Sequence, residues 1–559
     1  MPYIPMTKAE MKERNWDYLD IVIISGDAYV DHPSFAAAII ARSLEAQGYR
    51  VGIIAQPDWN NPDAFTILGA PRLFFGISAG NMDSMVNHYT AQKKLRHDDA
   101  YSPNGVSGLR PDRATIIYTN MVKRLFKGTP VVIGGIEASL RRIAHYDYWQ
   151  DKIRNSILAD SKADILVYGM GEKPIITIAN ALRDGIPVAD IQDFPSTVVF
   201  CKHPPFGEDE ADNKACGADG SLVLPASELC SAKDVFYNMT KTFTQNSDSK
   251  VIYQKNGGRW LKHNPPIAAL NSTELDSIYS LAFEYSPHPI YLGQVIPAYE
   301  QIKSSITSHR GCYGGCNFCA IACHQGRSIQ SRSEDSILRE AKKHKGTISD
   351  VGGPTANMYG TKCRLAFPKT CKRRSCLFPA ICPNLIFAHD EQLSLLDRIA
   401  ALPGIKHVFI ASGIRHDMAL QNKRYIAAIA AKYTGGRLKL APEHCTPKVL
   451  QLMGKPSIAC YEDFCAEFIR QTKQLGIKRQ IIPYLIIGHP GTTMEDAKTL
   501  RRWLMQNNIV VEQVQEFTPT PMSISTCMYY TGRDFDSGEE IHIPSPGEVR
   551  QQKKLAMWK

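Results

Sequence analysis

A chain of 559 residues exceeds one ordinary domain, so two or three are expected, and its apolar fraction of 44% against a charged fraction of 21% is an ordinary globular balance. No apolar stretch approaches the length of a membrane-spanning helix, and residues 1–20 lack the apolar core and cleavage site of a signal peptide. The net charge of +10 is modest for this length: it permits an anionic partner such as RNA without arguing for one, and a solvated basic surface is the plainer meaning.

The first third alternates strand and helix. Residues 19–26 form a short β-branched run that stops at Gly26, as a buried parallel strand does. Helical periodicity follows over 34–47 and ends at Gly48, a C-terminal cap. Further strands are predicted over 50–55, 73–78, 130–133 and 163–168. The alternation predicts a doubly wound α/β domain over 1–200. Ligands of such domains sit beyond the carboxyl ends of the strands, where 27–32, 134–137 and 169–172 would gather. Neither glycine pair there completes a dinucleotide fingerprint, and turn chemistry accounts for them as well as a ligand does.

Periodicity fades over 201–297, which reads as a connecting segment with some structure near 274–285. It then returns over 298–545, with strands predicted over 304–307, 348–352, 407–412, 436–441, 480–487 and 511–517 and helices over 333–345, 390–401, 422–433, 462–475 and 493–506. Six such units are too few for a closed eight-stranded barrel and suit a partial (β/α)6 one, with its chemistry at the C-terminal ends of the strands. Residues 546–559 read as a basic tail that opens like a helix; either a longer protein has been cut there or a short form is natural.

Fifteen cysteines without a secretion signal point to a reducing compartment, the cytoplasm, where thiols serve metals or catalysis rather than disulfides. Eight of them lie between Cys312 and Cys382. Cys312, Cys316 and Cys319 stand at C-x3-C-x2-C spacing on a glycine-rich loop after the strand at 304–307. Iron–sulfur clusters are held by thiolates, and a cubane has four irons. Three thiolates leave one iron open to a small molecule, as open positions do at other catalytic metals. Zinc, the rival metal, favours four ligands in C-x2-C pairs; Cys323 is the available fourth, but it lies beyond the tight loop.

A second group, Cys363, Cys371, Cys376 and Cys382, lies in an insertion over 361–386 that also carries Lys369, Lys372, Arg373 and Arg374. Four thiolates suit zinc or an auxiliary iron–sulfur cluster, and the spacing does not choose between them. Reduced thiols in a basic, RNA-contacting loop are the plainer alternative. Cys323, Cys445, Cys460, Cys465 and Cys527 are taken as packing residues.

The three-cysteine loop resembles the signature of radical S-adenosylmethionine enzymes, and other motifs extend the likeness along nearly the whole chain. Gly352-Gly353-Pro354-Thr355 ends the second strand of the six, Leu438 to His444 and Ile486 to Gly491 resemble the fourth- and fifth-strand regions of the methylthiotransferase-like branch, and Phe517-Thr518-Pro519 resembles its last-strand exit. With 27–58 and 134–139, the pattern is similar to YgiQ-type radical S-adenosylmethionine proteins. The resemblance implies a cobalamin-binding-like Rossmann domain followed by a radical S-adenosylmethionine core. It implies Cys312, Cys316 and Cys319 as ligands of a 4Fe–4S cluster, and Gly352, Gly353, Thr355 and Gly488 as contacts of S-adenosylmethionine. Reduction by a donor such as flavodoxin or ferredoxin would cleave the cofactor to a 5′-deoxyadenosyl radical that takes hydrogen from a substrate. Arg415 and Glu443 are open to two readings, cofactor contact or structural salt bridge. The N-terminal likeness raises cobalamin as a further cofactor, but Asp31-His32-Pro33-Ser34-Phe35 is not an Asp-x-His-x-x-Gly loop, so His32 is not assigned as a cobalt ligand. Two other functions remain on the residues alone: a zinc-stabilised RNA-binding protein, and RNA methylthiolation. No catalytic residue beyond the cofactor ligands can be picked.

Overall fold

The computed structural model of the chain describes residues 3–201, 220–365 and 371–557. Two compact units emerge, one of Met1–Ala268, Ile278–Lys303 and Thr520–Met522, the other of Ala269–Ser277, Ser304–Pro519 and Ser523–Lys559. Lys369 and most of the acidic, glycine-punctuated stretch over 207–220 lie outside the described residues. Among those described, no helix is long and apolar enough to cross a membrane.

The first unit is organised on a nine-stranded sheet. Its strands are β1 (Ile21–Ser25), β2 (Val51–Ala55), β3 (Phe74–Ser78), β4 (Val131–Gly134), β5 (Ile165–Val167), β6 (Thr197–Cys201), β7 (Leu222–Leu224), β8 (Ile252–Asn256) and β9 (Arg259–His263). The first five are parallel and run in the order β2-β1-β3-β4-β5, which is the flavodoxin-like doubly wound order. All five residues of β1 are buried, so its uninterrupted apolar run suits an interior position between β2 and β3. Helix Ala114–Leu125 lays Ala114, Ile116, Tyr118 and Val122 into the same core as Ile24, Ile54, Phe75, Ile77 and Ile133.

The sheet does not end near residue 200, as the sequence suggested. β6 turns antiparallel to β5, and β9, β8 and β7 follow it to the edge. The expected connecting segment over 201–297 thus supplies three strands and helix Lys233–Asn246 to the first unit. Lys255, Asn256, Arg259 and Lys262 hide these strands from an apolar-run reading. Their joint carried the stronger signal: Gly257 and Gly258, both at positive φ, make a two-residue hairpin turn.

The second unit strings six parallel strand positions in chain order: β10 (Ser305–Thr307), a bent pair β11 (Gly346–Ile348) and β12 (Asp350–Gly352), β13 (Ile405–Val408), β14 (Arg437–Glu443), β15 (Gln480–Ile487) and β16 (Gln515–Glu516). β10 pairs with β12, β11 with β13, and β15 lies between β14 and β16. The Ile410 N–H donates to the Tyr433 carbonyl at 2.9 Å and links the third position to the segment entering β14. Helices Glu334–Ala341, His389–Ala400, Ile458–Gln474 and Met494–Gln506 alternate with the strands, giving the partial six-unit barrel.

Three elements differ from expectation. The strand predicted over 407–412 stops at Val408 because the Asp350 carboxylate captures the N–H groups of Ala411 and Ser412 at 2.7 and 3.0 Å. The helix predicted over 422–433 is α-helical over Lys423–Ala428 and then widens into a π turn, Ile429–Tyr433. The supposed basic tail is helix Pro546–Ala556, opened by a capping box between Ser545 and Glu548 with proline in its first turn. Gln552 and Ala556 of that helix are buried, so it is an integral part of the second unit.

Candidate metal and cofactor site

The three-cysteine loop leaves β10 through Ser308, His309 and Arg310 and is fixed at several points. His309–Arg310 pairs antiparallel with Gln330–Ser331. The Cys312 N–H donates to the Gly326 carbonyl at 3.1 Å, and Asn317 donates from its backbone and its side chain to Met453 and Leu452, both at 2.9 Å. The loop thereby stands at the C-terminal end of β10, where barrel chemistry is expected.

Cys312, Cys316 and Cys319 are half-buried free thiols. Burial pushes the Cys312 thiol up and the Cys316 charge adds to this; the Gly314 N–H, Arg415 and the Thr355 hydroxyl act against it. Cys319 is pushed up by burial first, then by Cys316, Cys312 and Cys323. Each thiol therefore feels its neighbours, and each would lose its proton on binding a metal. Among the described residues no three His, Cys, Asp or Glu side chains converge on a point fit for one metal ion. In a cubane each of three thiolates would take a different iron, so the three need not meet at one metal ion.

Arg415 is the principal charge beside the loop. Its Nη1 donates to the Cys316 sulfur at 3.4 Å, while Nε and Nη2 form a fork on Asp417 at 2.9 and 2.5 Å. Burial acts to lower the Arg415 pKa, but Asp417, Cys316 and Cys312 outweigh it and hold the guanidinium above its ordinary value. Burial likewise opposes ionisation of Asp417, and Arg415 overcomes it, holding that carboxyl at about 2. The Asn357 side chain clamps the Arg415 backbone by accepting from its N–H at 2.9 Å and donating to its carbonyl at 3.0 Å. Glu443, at the end of β14, is buried at a left-handed φ of +70°. Lys455 stands 3.8 Å from its carboxylate and donates to the Ala441 carbonyl at 2.6 Å. Burial pushes Glu443 up, against Lys455 and Arg415.

The glycine pair ends β12. The Gly352 carbonyl accepts from the Ser308 N–H at 2.7 Å, and Gly353 lies against His309. Burial holds His309 down at about 4, so its neutral ring donates from Nε2 to the Thr355 carbonyl at 3.0 Å. The Thr355 hydroxyl bonds Cys312, and Gly488 packs against the C-terminal helix. Gly488 stands at φ +72°, a Cβ there would meet Val549 at 2.9 Å, and its N–H donates to Gln552 at 2.8 Å. Close packing of the C-terminal helix is reason enough for glycine at 488. Asn357, Asp417 and Lys455 were not singled out in the sequence. Only Asp417 left a local trace, two residues after Arg415 at the opening of a short helix.

Of the second group, Cys363 is exposed, Cys371 and Cys376 half-buried and Cys382 buried. Of the basic residues beside them, Arg373 donates to the carbonyls of Ser375 and Ala380, and Arg374 pairs with Asp536 at 2.8 Å. Two of the charges offered to RNA are therefore engaged within the second unit.

In the first unit, the crevice between β1 and β3 is the topological switch point, where such sheets take ligands. There the chain's own charged groups pair with one another. Arg110 pairs with Asp27 at 2.8 Å and Asp99 at 3.1 Å and donates to the Ala79 carbonyl at 2.5 Å, all three side chains being buried. His32 is buried, accepts from the Ser34 N–H at 3.1 Å and meets Tyr285 edge-on.

Comparison with known proteins agrees with this division. Residues 3–305 match the family described as radical SAM N-terminal, 306–504 the radical SAM superfamily, and 512–558 a domain of unknown function (DUF3362). UPF0313 protein GSU2873 of Geobacter sulfurreducens is 46% identical over 100% of this chain and 92% of its own length. UPF0313 protein YgiQ of Escherichia coli K12 is 43% identical over 100% of this chain and 84% of its own. Among solved structures, the radical S-adenosylmethionine methyltransferase TsrM of Kitasatospora setae, with tryptophan substrate and a S-adenosylmethionine analogue bound, matches at TM-score 0.50 and 13% identity, covering 96% of this chain and 87% of that one; this likeness is one of fold. The chain belongs to the UPF0313 family within the radical S-adenosylmethionine superfamily, and is a radical S-adenosylmethionine enzyme with a 4Fe–4S cluster and S-adenosylmethionine as cofactors.

Proposed function

We propose that Cys312, Cys316 and Cys319 hold the 4Fe–4S cluster by three irons and leave the fourth to S-adenosylmethionine. Bound together and given one electron by an external reductant, the two cofactors would supply reductive carbon–sulfur cleavage for abstracting hydrogen from a substrate. The chain's residues prepare the place. Arg415 offsets thiolate charge through its contact with Cys316, and Asp417 and Asn357 keep the guanidinium from swinging away. The Thr355 hydroxyl supports Cys312, with Gly352 and Gly353 bringing bare backbone beside it. Glu443 and Lys455 add a buried pair of opposite charges at the end of β14, suited to the polar ends of an amino-acid cofactor.

The observation that carries this reading is the set of three neighbouring thiols on one loop, with a buried guanidinium on the middle one. Its test is product formation. Anaerobic protein loaded with iron and sulfide, reduced by dithionite or flavodoxin and given S-adenosylmethionine, is expected to form 5′-deoxyadenosine, and Cys316→Ala to form none. Cluster-loaded wild type that yields no 5′-deoxyadenosine contradicts the reading. Zinc without iron or sulfide would favour the metal-stabilised RNA-binding alternative.

A further inference from the structure

We infer that the insertion over 361–386 carries a second iron–sulfur cluster, held by Cys363, Cys371, Cys376 and Cys382, a site beyond the function proposed above. The described residues of the insertion contain no helix and only one two-residue ladder, in which Lys362–Cys363 pairs with Leu385–Ile386. Regular structure among its described residues is thus confined to that ladder, and loops of this kind in compact domains usually serve a function. Something other than regular hydrogen bonding must organise it.

The cysteines are where such a cross-link would act. Cys363 begins the insertion at its ladder, and the Cys382 N–H donates to the Cys376 carbonyl at 2.7 Å. Cys382, Cys371 and Cys363 all lie near enough for their charges to bear on Cys376, and Arg327 supplies the opposing positive charge there. Arg327 also donates to the Arg373 carbonyl at 2.8 Å, and Arg373 reaches over to the Ala380 carbonyl at 2.6 Å, so two guanidinium groups wrap the turn between Cys376 and Cys382. A cluster with four thiolates is anionic, and this is the charge it would meet.

One zinc would draw all four sulfurs to a single point, whereas a cubane would spread them over four irons, so iron and sulfide content distinguishes the two metals. The insertion is also seated on the first cysteine loop: the Cys376 N–H donates to the Tyr313 carbonyl at 3.1 Å and the Ser375 hydroxyl to the Gly314 carbonyl at 2.7 Å. Any side chain at Gly315 would strike Ser375, its Cβ lying 2.6 Å away. Cys312 and Cys376 pack on one small apolar cluster of Tyr313, Met358, Leu377 and Met418, which places the two metal positions side by side.

Metal content of the full-length chain, purified without oxygen, decides the matter. With Cys312, Cys316 and Cys319 all changed to Ala, the chain is expected to keep about four irons and four sulfides and a 4Fe–4S electron paramagnetic resonance signal after reduction, against about eight of each in wild type. Cys363→Ser with Cys371→Ser, which leaves the packed Cys376 and Cys382 in place, should lose those four and keep the first cluster. The inference is overturned if the triple variant, folded by circular dichroism, binds no iron and sulfide, or binds zinc alone. It is equally overturned if the Cys363/Cys371 variant keeps wild-type iron. Because these readouts need no 5′-deoxyadenosine, they stand or fall apart from the function proposed for the first loop.

Discussion

Both units bury an arginine beyond the carboxyl ends of their parallel strands, and they use it differently. In the first, Arg110 is shared by two carboxylates, Asp27 and Asp99, and its Nη1 is taken by the Ala79 carbonyl. In the second, Arg415 faces one carboxylate, Asp417, and turns its remaining nitrogen to the Cys316 sulfur. The first arrangement is closed and negative, with attraction too weak to repay burial: the Asp27 carboxyl is pushed up to about 6 by burial despite Arg110, with Asp99 adding to the rise. The second is open toward the cysteine loop, and its carboxyl is held at about 2. The same residue type joins two carboxylates in the doubly wound sheet and reaches the cysteine loop in the partial barrel. What separates the two is how much negative charge the arginine already carries.

The largest effect is expected at Arg110. Arg110→Met strands two buried carboxylates, and the expected cost is about 3–5 kcal/mol or more in urea denaturation; a change within 1 kcal/mol would show that the crevice is not held by charge. Next comes pH. The folded pKa of Asp27 lies above its unfolded value, so its contribution is complete below about pH 4 and is lost as pH rises through about 6, a change of about 3 kcal/mol. Asp417 has the opposite sign: its folded pKa lies below the unfolded value, and about 2 kcal/mol is lost as pH falls from 4 through 2. Asp27→Asn should flatten the fall between pH 4 and 6 in the urea midpoint, and Asp417→Asn should leave that range untouched.

A smaller and sharper effect concerns activity. Arg415→Lys keeps the charge and loses the fork on Asp417, and 5′-deoxyadenosine formation should drop about 10–100-fold at unchanged iron and sulfide. Arg110→Lys should leave that rate per cluster as it was. The smallest effect separates packing from charge within the barrel unit: Gln552→Ala leaves the buried Gly488 N–H without its acceptor, for an expected loss of about 1–3 kcal/mol and no change in cluster content.

What the sequence showed follows from what is local in it. The cysteine loop, the runs of β1 to β5 and the order of six strand–helix units are written in contiguous residues, and the fold class and family could be read from them. Elements whose signal is short and polar were harder to see. β8 and β9 alternate charged and apolar residues around Gly257-Gly258, and the C-terminal helix announced itself only by its Ser545-Pro546-Glu548 opening. The surroundings of the site were least legible. Asn357 lies 58 residues from Arg415, and nothing in the local pattern around either marks the clamp between them. Gly488 adds a structural reason of its own: a side chain there would meet Val549 of the C-terminal helix, a contact no local pattern announces.

The claim underlying all of this is that the first cluster has one iron with no protein ligand. Electron paramagnetic resonance of the reduced cluster tests it directly, using the Cys363→Ser/Cys371→Ser chain so that only the first loop is loaded. Adding S-adenosylmethionine should shift the g values, and S-adenosylmethionine carrying 17O and 15N on its methionine carboxylate and amine should show hyperfine coupling to the cluster. A spectrum that S-adenosylmethionine leaves unchanged, with all four irons equivalent in Mössbauer spectroscopy, would contradict the account.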